Sequence, residues 1–395
     1  MGPSVWQVDP ANITPYYNLA LCEALSQAGW QGHYVTSQFL YDKQLPASGS
    51  FTVDYLYFRG LNDRRLLNYP RLRRLLRAIS YPFGHWQLQR QLGENRPDIV
   101  HIQWNRLPRL DYWLAERIRA LGIPIVYTVH DVIPMFNKKA IDQTIAKIYE
   151  KADGLIVHTV ANRDNLLIHY PHIDPSRIHI IPHIVPMIAL PKEAVPTNAT
   201  QQQARQYLGL PDNTFVFLFF GSIRPYKGLD ILIPAFLKVL KQQPTARLII
   251  AGRPEGAQDT ALLEPIREHP NVNLYTNYIP YEEMWLYHFA ADVMVFPYRD
   301  IYQSGALITG MGFGKPVIVT NVGGLPETID GNGWIVPSND TDALASIMIE
   351  AATNRERLAS MGKRSLALIN EQYAGPVVAK KLTAIYEMLK PQRES

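Results

Sequence analysis

FFGSIRPYKGLDILIPAF, residues Phe219 to Phe236, decides how the rest of the chain is read. An apolar run ends at Gly221, a short turn holds Arg224, Pro225, Lys227 and Gly228, and a helical pattern opens near Leu229. A buried strand, a turn and a helix in that order form the building unit of a parallel α/β sheet. Two cations on the loop that leaves the strand suit a diphosphate. The arginine can bind it bidentately and the lysine adds a point charge. Taken alone, a basic turn facing water is the alternative.

Outward from this run the same alternation fills most of the chain. Apolar runs at 98–104, 123–131, 154–159 and 177–185 read as buried strands, with helical spacing in YWLAERIRALG and IDQTIAKIYEKA between them. A second series follows at 214–221, 246–252, 272–279, 292–298, 315–321 and 333–337. Between the two series, PMIALPKEAVPTNATQQQ has three prolines and a polar tail and reads as a linker. The expected fold class is α/β, with two Rossmann-like domains facing a central cleft at their strand carboxyl ends. The expected domains are residues 1–190, residues 191–372 and a last helix in 373–395 that packs back on the first domain.

Composition fits two soluble domains: 395 residues, 47% apolar and 19% charged. The single cysteine, Cys22, excludes an intrachain disulfide and reads as a core thiol, which suits a reducing, cytoplasmic setting. No secretory or membrane-spanning pattern is present. A net charge of +4 does not imply nucleic-acid binding. The charge is concentrated in one place, with six arginines between Arg64 and Arg77 interleaved with apolar residues. This stretch has the pattern of a helix lying on an anionic membrane surface, or of a helix with an exposed arginine face.

YRDIYQSGALITGMGFGKPVI, Tyr298 to Ile318, has the Gly and Ser content of a phosphate-binding turn running into a helix, with no glutamate. Gln303, Ser304 and Gly305 suit backbone and hydroxyl donors to phosphate. His130 and Asp131 end a strand in TVHD, where open α/β sheets place site residues, and His183 lies in PHIVP. With eleven histidines present, a structural role is the alternative for each. No HExxH pattern suggests a divalent ion, so neither a metal nor a cofactor is expected.

GSIRPYKGLD resembles the G-x-x-x-x-x-K-G-x-x-x-L run of GT-B glycosyltransferases, above all the large retaining family numbered four. Further pieces follow in family order: TVHD, PHIVP, LIIAGRPEG, YTNYIPYEEMWLYHFAADVMVFPYRD and GKPVIVTNVGGLPETI. The resemblance implies a retaining transfer from a UDP- or GDP-sugar to a hydroxyl of a glycan or lipid-linked acceptor. It puts Arg224, Lys227, Ser304 and Gly305 on the donor diphosphate, and His130 on the donor sugar. The nucleoside would meet Gly252, Tyr278, Ile279 and Thr309, with Asp131, His183, Gln303 and Glu327 as further contacts. Catalysis would rest on His130, Arg224 and Lys227, acceptor binding on the first domain, and cellular location on the cytoplasm or the inner membrane face. The chain departs from the family at its two glutamates, whose slots fall at Ile301 and Thr309. That departure leaves a catalytically impaired relative as an alternative, beside an epimerase or hydrolase on the same architecture.

Overall fold

The computed structural model describes residues 2–39, 51–61, 66, 69–133, 143–186, 199–211 and 213–391. Arg64 and most of the expected linker lie outside them. The chain divides into two compact units, Met1–Ala189 with Ala374–Ser395, and Leu190–Tyr373.

The first unit is built on seven parallel strands: β1 (Ser4–Asp9), β2 (Gln31–Ser37), β3 (Phe51–Tyr57), β4 (Ile99–Ile102), β5 (Ile125–Thr128), β6 (Gly154–Val157) and β7 (Ile178–Ile180). Their order is β3-β2-β1-β4-β5-β6-β7, so the winding reverses between β1 and β4. Strands β4, β5 and β6 are buried at every residue, as continuous apolar runs covered on both faces should be. Strands β1 to β3 escaped the sequence reading because polar residues interrupt them. Gln7 and Asp9 break the run of β1, and His33 and Asp54 break those of β2 and β3. The helices are α1 (Pro15–Gln27), α2 (Pro70–Asn95), α3 (Pro108–Ala120), α4 (Gln143–Lys151) and α5 (Val160–His169).

The second unit repeats the plan with six parallel strands: β8 (Val216–Phe220), β9 (Arg247–Ala251), β10 (Val272–Tyr275), β11 (Val293–Phe296), β12 (Val317–Thr320) and β13 (Gly333–Val336). Their order is β10-β9-β8-β11-β12-β13, reversing between β8 and β11. The helices are α6 (Gln201–Tyr207), α7 (Leu229–Val239), α8 (Ala257–Ala261), α9 (Met284–Ala290), α10 (Gly305–Gly312), α11 (Thr341–Thr353) and α12 (Arg355–Leu368). Helix α6 corrects the linker reading, because its polar tail is a helix start. Thr200 and Gln203 form a capping box, and Arg205 reaches Asp292 at 2.7 Å in a buried pair that also binds the first amide of β8.

The final helix, α13 (Gly375–Leu389), belongs to the first unit and packs on α1. Val378, Ala379, Leu382 and Tyr386 share one core with Leu21, Leu25 and Trp30. Tyr386 packs 5.0 Å from the Trp30 ring, and its hydroxyl shares a hydrogen bond of 2.6 Å with His101 Nδ1. Burial holds His101 down to about 3, so the ring is neutral, and its other nitrogen shares a hydrogen bond of 2.7 Å with Thr128 Oγ1. Tyr386→Phe removes the partner of a buried ring nitrogen. It should lower unfolding stability by about 1–3 kcal/mol in urea titration, and an unchanged midpoint would contradict this role.

Candidate functional site

In the second unit, the residues singled out above gather where the strand order reverses, the place at which open α/β sheets bind ligands. Strand β8 ends at Phe220 and the chain turns through Arg224 and a single 3-10 turn, Pro225–Lys227, into α7. Gly228 makes this turn possible: its φ is +72°, and a side-chain carbon there would lie 1.9 Å from the Pro297 carbonyl oxygen. Gly252 ends β9 against Gly221 in the same way, with a side-chain carbon falling 1.9 Å from the Gly221 carbonyl oxygen. The structure therefore gives Gly252 a packing role: it lets the ends of β8 and β9 lie close together.

Lys227 is buried, and its ammonium lies against Gly221, 3.1 Å from where a side-chain carbon of that residue would stand. The same point is 3.9 Å from Ala306 in the first turn of α10. Burial first, and the neighbouring Arg224 second, pull the Lys227 ammonium down to about 8. Arg224 pairs with Glu255 and lies 3.6 Å from Asp259 Oδ2. Ser304 caps α10 by accepting from the Leu307 amide at 3.2 Å, while Gly305 and Ala306 occupy positions whose amides have no partner within a helix. Two cations and a helix N-terminus thus meet at one edge, an arrangement that attracts a doubly charged anion.

A residue the sequence reading missed holds this turn in place. Arg299, just after β11, donates through Nη1 to Asp230 Oδ1 at 2.6 Å and to the Pro225 carbonyl at 3.0 Å. Its second amino group also binds Asp230, its Nε donates to Asn339 Oδ1 at 2.7 Å, and its amide donates to Tyr226 O at 2.7 Å. The only signal in the sequence was a basic residue in the YRD that follows a strand.

The remaining candidates in this unit are less concentrated. Tyr278 and Ile279 are half-buried in the loop after β10, Gln303 is half-buried before α10, and Glu327 is exposed in a one-turn helix, Pro326–Thr328. Thr309 is buried, and its hydroxyl donates to the Gly305 carbonyl at 2.8 Å, so it can offer a ribose only a lone pair.

In the first unit His130 and His183 come together around Tyr17, with ring centroids 5.2 and 4.7 Å from it. His158, which the sequence reading passed over, joins them 5.2 Å from His130 and 5.3 Å from His183. Burial keeps this cluster neutral. It lowers His183 to about 3, His158 to about 4 and His130 well below the ordinary imidazole value. The neutral His130 donates from Nε2 to Gln103 Oε1 at 3.1 Å. Asp131, beside it, is raised to about 6 by burial.

These contacts predict the behaviour of two variants with UDP as the probe. Glu255→Gln removes a partly exposed carboxylate that competes for Arg224, and binding should tighten by up to about fivefold, the value of a surface ion pair. Arg299→Ala loosens the turn and should weaken binding by about three- to tenfold without unfolding the chain. Calorimetric titration measures both, and equal affinities in all three proteins would contradict the assignment.

Comparison with known proteins agrees with this architecture. The glycosyltransferase family 4 domain matches residues 16–187, and the group 1 glycosyl transferase domain matches residues 214–354. The D-inositol 3-phosphate glycosyltransferase of Segniliparus rotundus is 26% identical over 300 residues, covering 70% of this chain and 65% of its own length. The protein of that name from Streptomyces scabiei is 27% identical over 316 residues, 72% of this chain and 67% of its own. The chain thus spans about two thirds of the length of these relatives. Among solved structures, sucrose-phosphate synthase from Thermosynechococcus elongatus superposes with a TM-score of 0.73 at 19% identity, covering 98% of this chain and 99% of its own. Anabaena HepE in complex with UDP superposes with a TM-score of 0.70 at 14% identity, covering 98% and 100%. At such identities the structural likeness is one of fold. With both halves matched by glycosyltransferase domains in the right order, the chain belongs to the family 4-like glycosyltransferases of GT-B fold.

Proposed function

We propose that the chain transfers a sugar, with retention, from a nucleoside-diphosphate sugar to a hydroxyl of a glycan or lipid-linked acceptor. The observation that carries this reading is the meeting of Arg224, Lys227 and the α10 N-terminus at the switch point of the second sheet. Negative charge develops on the departing phosphate as the sugar becomes cationic. Cations and amides already aimed at that oxygen can lower the barrier by several kcal/mol, about the value of one oxyanion-hole donor or more. Lys227 and Arg224 would hold the diphosphate with Ser304 and Gly305. Tyr278, Ile279 and Thr309 would face the nucleoside, and Gln303 and Glu327 would lie at its margin. His130, neutral and fixed by Gln103, would shape the reacting face beside Asp131 and His183.

UDP is the first nucleotide to test, because Anabaena HepE has been solved with UDP and with UDP-glucose. A non-catalytic binding relative is the second reading, favoured by Ile301 and Thr309 in the slots of the family's glutamates. We further propose that α2 rests on an anionic lipid surface on the cytoplasmic side. Leu72, Leu75, Ile79, Phe83 and Trp86 form one stripe along it and are 48–66% exposed, with the exposed Arg71 and Arg74 beside them. Arg73 and Arg77 have other work: the first donates to the Leu61 carbonyl at 3.3 Å and the second lies 4.0 Å over the Phe58 ring. Among the described residues no helix is long and apolar enough to cross a membrane.

Thermal-shift screening against UDP, GDP, ADP and their sugars tests the donor reading. One nucleoside diphosphate should raise the melting temperature, and Lys227→Ala should abolish the shift. A flat response to all of them would refute it. Turnover with a glycan acceptor and retention at the new linkage would separate the enzyme from a binding relative. Ile79→Glu with Arg71→Ala and Arg74→Ala should abolish co-sedimentation with phosphatidylglycerol vesicles, and unchanged co-sedimentation would refute the lipid surface.

A further inference from the structure

We infer that Tyr298 is a positioning residue for the diphosphate edge of the second unit: its ring face carries the Lys227 ammonium, and its buried hydroxyl orients Ser304 toward a bound phosphate. The inference deepens the donor-site reading and rests on it for the meaning of that edge.

Residues 297–299 follow β11 and run along the turn that holds Lys227. At one end the Pro297 carbonyl packs against Gly228, and at the other the Arg299 amide donates to Tyr226 O at 2.7 Å. Between these contacts Tyr298 meets Lys227, whose Nζ lies over the phenol ring at 5.5 Å from its centroid. The ring is firmly placed. Tyr298 is 1% exposed, and its carbonyl accepts from Thr320 Oγ1 at 2.6 Å and from Ser338 Oγ at 3.3 Å. Phe296 packs edge-on against it with centroids 5.7 Å apart.

An aromatic face attracts a cation within about 6 Å of its centroid, and the attraction grows where water is excluded. Gly221, lacking a side chain, leaves the ammonium room beside that face. The charged groups that act on it are Arg224, which repels it, and Glu255, whose attraction is the smaller effect. Burial pushes the Tyr298 phenol up, so the ring stays neutral. A neutral ring holds the cation in place without cancelling the charge that a phosphate needs. A carboxylate in the same position would compete with the ligand.

The hydroxyl of the same side chain reaches the other half of the site. It is buried with no hydrogen-bond partner among the described residues, and the Ser304 side chain lies beside it. Buried polar atoms are rarely left so. Ser304 Oγ already accepts from the Leu307 amide at 3.2 Å. A serine hydroxyl has two lone pairs and one proton, so accepting from Tyr298 as well leaves its O–H to donate to a phosphate oxygen. One buried side chain thus underlies both the cation and the helix start.

The first test needs no ligand. The full chain is prepared with isotope-labelled lysine, and the Lys227 side-chain NMR resonance is assigned as the one missing in Lys227→Arg. In the unmodified protein it should titrate at about 8. Tyr298→Phe keeps the ring face and should stay within about a quarter of a pH unit of that value, whereas Tyr298→Leu should titrate about half a unit to one unit lower. If the leucine variant does not fold, pentafluorophenylalanine at position 298 keeps the ring's shape, reverses its quadrupole and should give the same fall. An unmoved or raised midpoint without the attractive face would overturn the inference. The second test is calorimetric titration with UDP at about pH 6.5, where Lys227 is charged. There Tyr298→Phe should bind about two- to tenfold more weakly than the unmodified protein, and equal affinity would overturn the role of the hydroxyl. Failure of the unmodified protein to bind UDP, GDP and ADP would instead refute the donor reading, and the hydroxyl's role with it. The ligand-free titration would still decide whether Tyr298 carries the ammonium.

Discussion

A buried lysine beside an arginine is the constraint on which the second unit turns. Lys227 loses hydration and feels Arg224 at close range, and Arg224 in turn is shared between Glu255 and Asp259. Such a pair costs the empty protein stability, and a bound dianion would relieve it and turn the local cost into affinity. The backbone around it serves this arrangement. Gly228 lets the turn pass under Pro297, Gly252 lets β9 end against Gly221, and Arg299 fastens the turn to α7 and to the loop after β13.

The two units use one strand order for opposite electrostatics. In the second, the reversal of the sheet is cationic, with a helix N-terminus at hand. In the first, imidazoles are kept neutral by burial and a carboxylate fills the helix start. A fold that binds at its switch point can thus present different chemistry in its two copies, through the few residues that follow each strand.

Much of this was legible in the sequence, and the exceptions have physical reasons. The ten strands read from apolar runs are present, and the central ones, β4, β5, β6, β8, β11 and β12, are buried at every residue, as strands covered on both faces are. Strands β1 to β3 were hidden because Gln7, Asp9 and Asp54 carry polar groups into them. The start of α6 was hidden because capping residues are also loop residues, and only the partner of Thr200 three positions on distinguishes the two. Arg224 and Lys227 were found because they are close in sequence. Arg299 and His158 were not, because their partners lie on other elements, and spacing along the chain carries no record of that.

The central claim is that Lys227 stands partly deprotonated in the empty site and becomes fully charged when a diphosphate arrives. The ammonium is at about 8 when the site is empty and must rise beside a dianion, so binding above that pH takes up a proton and weakens as pH increases. Calorimetry of UDP binding at a pH about half a unit above 8, in two buffers of different ionisation enthalpy, counts that proton. The account predicts uptake of most of one proton, lost in Lys227→Arg. Binding with no proton uptake in the unmodified protein would contradict it.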